Sequence, residues 1–215
     1  GPANRRRRMR IRAIAWDVDG TLVDSEPLHH RALLEGSAHF GVDLSDLPAE
    51  AFRGVHMGDV WTNLKPRLPQ TLSENEWLAA INCHYVDHRH ELAAVPHAID
   101  TVRALAKMGL PQVCVSNSAR AIVNANLDVL GLSKLMAFSI SLDDVLRGKP
   151  DPLPYAEACR RLGTAPAEVL AVEDSQTGIT SALTAGLRCA ALGFEASKGH
   201  YGISDLRQVV QIVGN

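Results

Sequence analysis

Long apolar runs and an excess of positive charge are both missing from this sequence. No stretch approaches the roughly 18 consecutive apolar residues that a membrane-spanning helix needs. The formal net charge is −2, so no overall positive field favours binding to nucleic acid. We therefore expect neither a membrane nor a nucleic acid among the partners of this chain.

Closely spaced cysteine pairs are missing as well. The four cysteines are scattered, none forms a Cys-x-x-Cys pair, and three lie within apolar helix or strand patterns. This usage favours buried free thiols in a reducing cytoplasm, which is where we expect the protein to reside. The four residues are Cys83, Cys114, Cys159 and Cys189.

The first nine residues differ in character from the rest of the chain. Gly1 to Asn4 looks like the remnant of a protease-cleaved tag, and Met9 is a candidate native start. Arg5 to Arg8 form a basic run that is very short and is followed by no apolar segment of the kind found in targeting peptides. We expect residues 1–9 to be a disordered tail.

Two carboxylates at the end of an apolar segment are the most informative feature that is present. The stretch from Ile14 to Asp24 begins as a buried strand and then places Asp17 and Asp19 two residues apart, just before a Gly-Thr turn. In an extended chain this spacing puts both side chains on one face. There they repel each other and can share a cation.

Strand and helix patterns alternate over most of the chain, and its apolar content of 46% is ample for a large core. Such alternation predicts an α/β fold, a Rossmann-like parallel sheet core with helices on both faces. The predicted strands are Arg10 to Asp17, Gln112 to Ser116, Ala137 to Ser141, Val169 to Glu173 and Cys189 to Leu192.

The segment 24–92 carries helical patterns alone. Its clearest helix is predicted from about Ser73 to His90, where Ser73 and Glu76 match a capping box. We therefore expect an all-helical insertion over residues 24–92 and a core formed by residues 10–23 and 93–215. The hinges between them are expected near Leu22 to Pro27 and His90 to Pro96.

Polar residues follow four of the predicted strands. Because the carboxyl ends of parallel strands share one edge of a sheet, these residues should converge there. The set contains carboxylates for a hard divalent ion, one lysine, and hydroxyl and amide donors for an anion. This is the inventory of a metal-assisted phosphoryl-transfer site. Its members are Asp17, Asp19, Ser116, Asn117, Lys149, Glu173 and Asp174.

Four short motifs resemble those of the haloacid dehalogenase superfamily, in the same order and with similar spacing. Asp17-Val18-Asp19-Gly20-Thr21 with Asp24-Ser25-Glu26 resembles the first motif. Ser116-Asn117, Gly148-Lys149-Pro150-Asp151 and Val172-Glu173-Asp174-Ser175 resemble the second, third and fourth. The likeness covers Ile11 to about Leu192. The helical insertion is similar to the cap of the branch that holds β-phosphoglucomutase and many sugar-phosphate phosphatases.

The resemblance implies a two-step mechanism. Asp17 would attack phosphorus to form an aspartyl-phosphate, and Asp19 would protonate the leaving alcohol and then take a proton from the attacking water. Lys149 would neutralise the nucleophile and the phosphoryl oxygens. Ser116 and the Asn117 amide would bind the transferred group.

The same resemblance implies a Mg²⁺ cofactor. Its ligands would be the Asp17 carboxylate, the backbone carbonyl of Asp19 and the carboxylate of Asp174, with Glu173 acting through a water molecule. Mg²⁺ favours an octahedral site of this kind, with few carboxylates and several waters.

The cap should decide the substrate, and its sequence offers several donors and a flat apolar face. Each candidate could equally be part of the cap surface. Together they suit a phosphorylated sugar or polyol, a small-molecule substrate. The candidates are Arg53, His56, Trp61, Lys65 and Arg67.

Two cap features bear on the choice between phosphatase and mutase. His29 matches the first cap-helix histidine of the mutase, although phosphatases of this branch often carry it too. The anchoring loop Lys/Arg-Gly-Val-x-Arg of β-phosphoglucomutase has its counterpart in Arg53-Gly54-Val55-His56-Met57, so Met57 stands where the anchoring arginine would be. This departure favours a hydrolase.

The sequence thus favours a Mg²⁺-dependent phosphatase of small phosphorylated metabolites. A β-phosphoglucomutase-like sugar phosphomutase is the first alternative. A non-catalytic phospho-accepting regulator is the second, although Asp19 would let an aspartyl-phosphate hydrolyse quickly. With no heptad pattern or other association signal, we expect a monomer.

Three histidines on the long cap helix need a separate interpretation. His84 and His88 are four residues apart and could share a metal ion on one helical face. The sequence provides neither a third ligand nor a general-base glutamate between them. We therefore predict that His84, His88 and His90 are exposed helix residues.

Overall fold

The structure is a computed structural model and describes residues 10–52 and 55–215. The predicted tail at residues 1–9 and the cap residue Arg53 lie outside the described residues. The strands are β1 Ala13–Trp16, β2 Val23–Asp24, β3 Ala93–Ala94, β4 Gln112–Val115, β5 Ser139–Ile140, β6 Val169–Glu173, β7 Arg188–Leu192 and β8 Tyr201–Ile203.

Six of these strands form one parallel sheet in the order β5-β4-β1-β6-β7-β8. All five predicted strands are present, although β5 covers only two residues of the predicted 137–141. The sixth, β8, was missed by the sequence analysis because it is three residues long and has a glycine at its centre. Gly202 is needed there, since a Cβ atom would lie 2.3 Å from the backbone nitrogen of Ala196.

Alternation along β1 builds two cores, one on each face of the sheet. Ile14 and Trp16 belong to the cluster on one face, and Ala13 and Ala15 to the cluster on the other. The helices that cover the sheet are α4 Ala98–Lys107, α5 Arg120–Leu130, α6 Leu153–Leu162, α7 Gln176–Thr184 and α8 Gln208–Gly214. The predicted Rossmann-like α/β core is thus confirmed.

The segment between β2 and β3 is helical, as predicted. Its helices are α1 Glu26–Ala38, α2 Met57–Leu64 and α3 Glu74–Asp87. α1 packs closely on α3 because Gly36 faces Ile81, where a Cβ atom would lie 2.6 Å from the Ile81 side chain. The capping box of Ser73 and Glu76 is formed, and α3 ends three residues earlier than predicted, at Asp87.

The two connections between the helical segment and the core lie side by side. Val23 pairs with Ala94, and Asp24 with Ala93, in a short antiparallel ladder. Val95 N also donates to the carbonyl of Leu22 across 2.9 Å. Both predicted hinge segments therefore meet at one place, directly after the turn that carries Asp17 and Asp19.

Within residues 10–52 and 55–215, no helix has the length and apolar character required to cross a membrane.

The prediction that His84 and His88 are exposed was wrong, because both are half-buried and their ring centroids lie 4.0 Å apart in a stacked arrangement. α1 covers this part of α3, which the helical period alone could not indicate.

Candidate active site

The sheet order explains why the four motif segments meet. β4, β1 and β6 are adjacent at the centre of the sheet, so their carboxyl ends lie side by side. The Asp17 amide continues the ladder by donating to the Val172 carbonyl across 3.0 Å, and the Ser116 amide donates to Ile140 across 2.9 Å. Asp17 and Ser116 therefore directly follow the last residues of β1 and β4.

Lys149 is the buried cation of this site. Its Nζ atom donates to Asp17 Oδ1 at 2.9 Å, to Glu173 Oε1 at 2.6 Å and to the Val115 carbonyl at 2.7 Å. Burial opposes its charge, but the carboxylates of Asp17 and Glu173 outweigh this effect and raise the pKa of Lys149 above its ordinary value. Lys149 therefore remains an ammonium group beside the predicted nucleophile.

Glu173 is fully buried and only half satisfied. Its Oε1 atom accepts hydrogen bonds from Lys149 and from the Tyr155 hydroxyl, whereas its Oε2 atom is buried without a hydrogen-bond partner among residues 10–52 and 55–215. Burial, followed by the nearby charge of Asp17, raises the pKa of Glu173 to about 7. An unpartnered carboxylate oxygen at this depth is costly unless a ligand completes it.

Asp174 lies against Asp17, and one hydroxyl joins them. Thr21 Oγ1 is 2.9 Å from Asp17 Oδ2 and 3.1 Å from Asp174 Oδ1. Burial and the charge of Asp17 raise the pKa of Asp174 to about 9. Gly20 makes this approach possible, since a Cβ atom there would lie 2.2 Å from Asp174 Oδ2.

These carboxylates fit a hard divalent cation. One oxygen from each of Asp17, Glu173 and Asp174 lies within 4.8 Å of the others. The donors are all oxygen, Glu173 has a buried oxygen to spare, and the mutual repulsion that raises the pKa of Asp174 would be relieved by a cation. That the Asp19 backbone carbonyl also binds the cation stays a prediction.

The Asp19 side chain occupies a separate, donor-rich position next to this cluster. Its Oδ1 atom accepts from Ser25 Oγ at 2.7 Å and lies 2.7 Å from His29 Nε2, while its Oδ2 atom accepts from Ser118 Oγ at 2.7 Å. Burial alone would raise its pKa, but His29 and these hydrogen bonds hold the pKa of Asp19 well below its ordinary value.

Ser116 and Asn117 both lie at the site. Ser116 is buried, and its Oγ atom is 3.5 Å from Asp19 Oδ2. The Asn117 side chain anchors the loop of Lys149, accepting from the Lys149 amide at 2.8 Å and donating to the Lys149 carbonyl at 3.1 Å. The predicted phosphate contact would therefore be made by the backbone amide of Asn117, since its side chain is engaged.

Of the cap candidates described next, one contacts the site and three contact other residues of the cap. His29 reaches Asp19, whereas His56 caps α2 by accepting from the Gly58 amide across 2.9 Å. Arg67 pairs with Asp46 across 2.8 Å on the cap surface. Trp61 packs its ring 5.4 Å from the ring of Trp77. Contact of Arg67 or Trp61 with a substrate stays a prediction.

Several polar residues at the site were missed by the sequence analysis. Those within the motif segments could have been found, because their hydroxyls lie within a few residues of the aspartates. The two that lie in helices give no such signal, since each lies within a helix and away from the strand ends that carry the motifs. The missed residues are Thr21 and Ser25 near the motifs, and Asn126 and Tyr155 in the helices.

Comparisons with known proteins agree with this geometry. The chain is 33% identical over 199 residues to phosphoglycolate phosphatase from Yersinia pestis, with 88% of this chain and 84% of that protein covered. It is 29% identical over 203 residues to hexitol phosphatase A from Escherichia coli strain K12, with coverage of 92% and 90%. The solved structure of CbbY from Rhodobacter sphaeroides in complex with phosphate superposes with a TM-score of 0.82 at 26% identity, covering 93% of this chain and 96% of that chain.

A family model supplies the remaining evidence. The model described as haloacid dehalogenase-like hydrolase matches residues 11–186, which include all four motif segments. The predicted resemblance is therefore confirmed, and the chain belongs to the haloacid dehalogenase-like hydrolase family.

Proposed function

We propose that the protein is a Mg²⁺-dependent phosphatase that hydrolyses small phosphorylated metabolites, sugar or polyol phosphates above all, through an aspartyl-phosphate on Asp17. Its family and its relatives make it a phosphoric monoester hydrolase. The observation that supports the finer proposal is the arrangement of Asp17, with a buried ammonium on one oxygen and a threonine hydroxyl on the other. Asp19, held by its own donors, stands beside it.

In the first proposed step a bond forms between an Asp17 oxygen and phosphorus while the bond from phosphorus to the leaving oxygen breaks. Asp19, whose low pKa leaves it ionised until substrate enters, first takes up a proton from solvent and then donates it to that oxygen, which leaves as an alcohol. Lys149 offsets the negative charge that gathers on Asp17 and the phosphoryl group. Ser116 and the Asn117 amide bind the transferred group.

In the second step water attacks phosphorus, Asp19 takes the proton of that water, and the bond to Asp17 breaks to release inorganic phosphate. Mg²⁺, held by Asp17, Asp174 and the carbonyl of Asp19, with Glu173 nearby, would neutralise the negative charge that accumulates between the carboxylates and the phosphoryl oxygens. The cap, residues 24–92, is proposed to close over the site and so to exclude bulk water from both steps.

The choice of substrate and the choice of reaction rest on different observations. Relatives that align along most of this chain include hexitol phosphatase A and phosphoglycolate phosphatases, whose named substrates are small phosphorylated metabolites. Met57, at the position where the mutase carries its anchoring arginine, disfavours a second phosphate site in the cap. A phosphomutase is therefore the second candidate rather than the first.

The setting proposed for this reaction is the cytoplasm, with the protein as a monomer. Three of the four free cysteines are buried, and Cys83 is exposed. An exposed thiol that stays free suits a reducing compartment. The small phosphorylated substrate is the only partner that the proposal requires.

Phosphate release from a panel of phosphorylated hexoses, hexitols, glycolate, glycerol and nucleotides tests the proposal, with Mg²⁺ and with a chelator. We expect release from several sugar or polyol phosphates that needs Mg²⁺ and is abolished by Asp17→Asn, with the fold of the variant retained by circular dichroism. Failure to release phosphate from any compound would contradict it. Conversion of a hexose 1-phosphate with a trace of hexose bisphosphate would then support the mutase.

A further inference from the structure

A tyrosine of the cap and an asparagine of the core form a buried pair next to the proposed acid/base. Tyr85 lies in α3 and Asn126 in α5, and neither side chain is exposed. The Tyr85 hydroxyl donates to Asn126 Oδ1 across 2.5 Å. On its other side, Asn126 Nδ2 points towards Asp19 Oδ1 at 3.4 Å.

The Tyr85 hydroxyl fixes which end of the amide faces Asp19. An asparagine side chain presents a donating NH₂ group at one end and an accepting oxygen at the other. Because the Asn126 oxygen accepts from Tyr85, its NH₂ group is turned towards the Asp19 carboxylate. The opposite orientation would bring two oxygens together and repel Asp19.

Tyr85 also contacts the other two side chains that hold the Oδ1 atom of Asp19. Its ring centroid lies 4.6 Å from that of His29, whose Nε2 atom is 2.7 Å from Asp19 Oδ1. Its hydroxyl interacts with Ser25, which donates to the same oxygen across 2.7 Å. One cap residue therefore supports all three side chains on one face of this carboxylate.

We infer that Tyr85 and Asn126 are positioning residues that set the orientation of Asp19, Tyr85 from the cap and Asn126 from the core. This inference rests on the proposed function, in which Asp19 transfers the protons. Neither residue touches the reacting atoms. They act on the reaction through Asp19 Oδ1, the oxygen that does not bond Ser118.

The two reaction steps depend on Asp19 to different extents when p-nitrophenyl phosphate is the substrate. p-Nitrophenolate leaves phosphorus without needing a proton, so the formation of the aspartyl-phosphate depends little on a general acid. Its hydrolysis still needs Asp19 to take a proton from water. Loss of the positioning residues should therefore slow the second step more than the first, and the phosphorylated enzyme should accumulate.

The test is rapid-quench kinetics of full-length wild type and Tyr85→Phe with p-nitrophenyl phosphate and Mg²⁺. Tyr85→Phe keeps the ring against His29 and removes only the hydroxyl. We expect its steady-state rate to fall about five- to twenty-fold, the scale of one lost hydrogen bond. A burst of p-nitrophenolate should appear, with acid-stable phosphoenzyme on most molecules.

Three further variants make the result specific. Asn126→Leu, which removes both polar atoms at similar volume, should show the same burst. The double variant should be slower than Asn126→Leu alone by less than the effect of Tyr85→Phe in wild type, because the Tyr85 hydroxyl acts in part through Asn126. Tyr201→Phe removes a hydroxyl of β8 that accepts a hydrogen bond from Arg188 in β7, and this variant should behave as wild type.

Three results would overturn the inference. Equal slowing of both steps without phosphoenzyme would mean that Tyr85 only stabilises the cap, and unchanged kinetics would mean that it has no role. If wild type shows no Mg²⁺-dependent release of p-nitrophenolate, the proposed function fails together with the inference. The first two results, in contrast, leave the proposed function intact.

Discussion

The Nζ atom of Lys149 lies 2.9 Å from the Oδ1 atom of Asp17, although the two residues are 132 positions apart in the sequence. Both side chains are almost completely buried, and Glu173 completes the group at 2.6 Å from the same nitrogen. A buried ammonium between two carboxylates lowers their mutual repulsion and prepares Asp17 to receive an anionic phosphoryl group. The pair joins the end of β1 to the loop that follows β5.

Replacement of this ammonium should impair both activity and stability. We expect Lys149→Met to lower kcat/KM by about 100-fold or more, since a buried charge aimed at the phosphoryl group is lost. The variant should also lose about 2–4 kcal/mol of unfolding free energy, because Asp17 and Glu173 stay buried without their partner. Steady-state kinetics and urea denaturation measure the two effects. The exposed Lys107→Met is the control, and equal effects of the two substitutions would contradict the assignment.

Gly20 and Gly41 allow backbone strain to be separated from crowding of the metal cluster. Both have a positive φ, 82° and 79°, but a Cβ atom on Gly20 would collide with Asp174, whereas one on Gly41 would meet no atom of the described residues within 4 Å. Both alanine variants should lose about 1 kcal/mol of stability from the left-handed backbone. Only Gly20→Ala should also lose activity and bind Mg²⁺ more weakly. Calorimetric Mg²⁺ titration and phosphatase assays make this comparison, and full activity in Gly20→Ala would refute it.

Stability without a divalent cation should decrease as the pH rises from 7 to 8. Burial and the charge of Asp17 raise the pKa of Asp174 to about 9, whereas in the unfolded chain it lies near 4, as is usual for aspartate. Between these values the folded state holds a proton that the unfolded state lacks, so the unfolding free energy falls with increasing pH.

Mg²⁺ should oppose this decrease, since it stabilises the ionised carboxylates. Thermal unfolding in a chelator and in Mg²⁺, at both pH values, measures the effect. In Asp174→Asn the dependence should be weaker and the stabilisation by Mg²⁺ largely lost. A wild type whose stability in chelator rises over this interval would contradict the assignment of the cluster.

The sequence was sufficient for the parts of the protein that depend on local patterns. Five of six sheet strands, the helical insertion and the capping box at Ser73 follow from periodicity and from short-range signals. The meeting of Asp17, Lys149 and Glu173 follows from one rule, that the carboxyl ends of parallel strands share an edge. Residues named for this edge are therefore found together.

Long-range pairs in helices could not be predicted. Tyr85 and Asn126 are 41 positions apart and Tyr155 is 18 from Glu173, and nothing in their local sequence indicates these partners. Burial of His84 and His88 depends on the packing of α1 over α3, which the period of α3 alone does not determine. The short strand β8 depends on its pairing with β7 rather than on its own composition.

Trapping of the phosphorylated enzyme tests the central claim most directly. Wild type and Asp19→Asn, mixed with p-nitrophenyl phosphate and Mg²⁺, would be quenched in acid and examined by mass spectrometry of the intact chain and of its peptides. We predict one added phosphoryl group on the peptide that contains Asp17, more abundant in Asp19→Asn because its hydrolysis lacks a base, and absent from Asp17→Asn. A phosphoryl group on another residue, or active enzyme that never carries one, would contradict the mechanism.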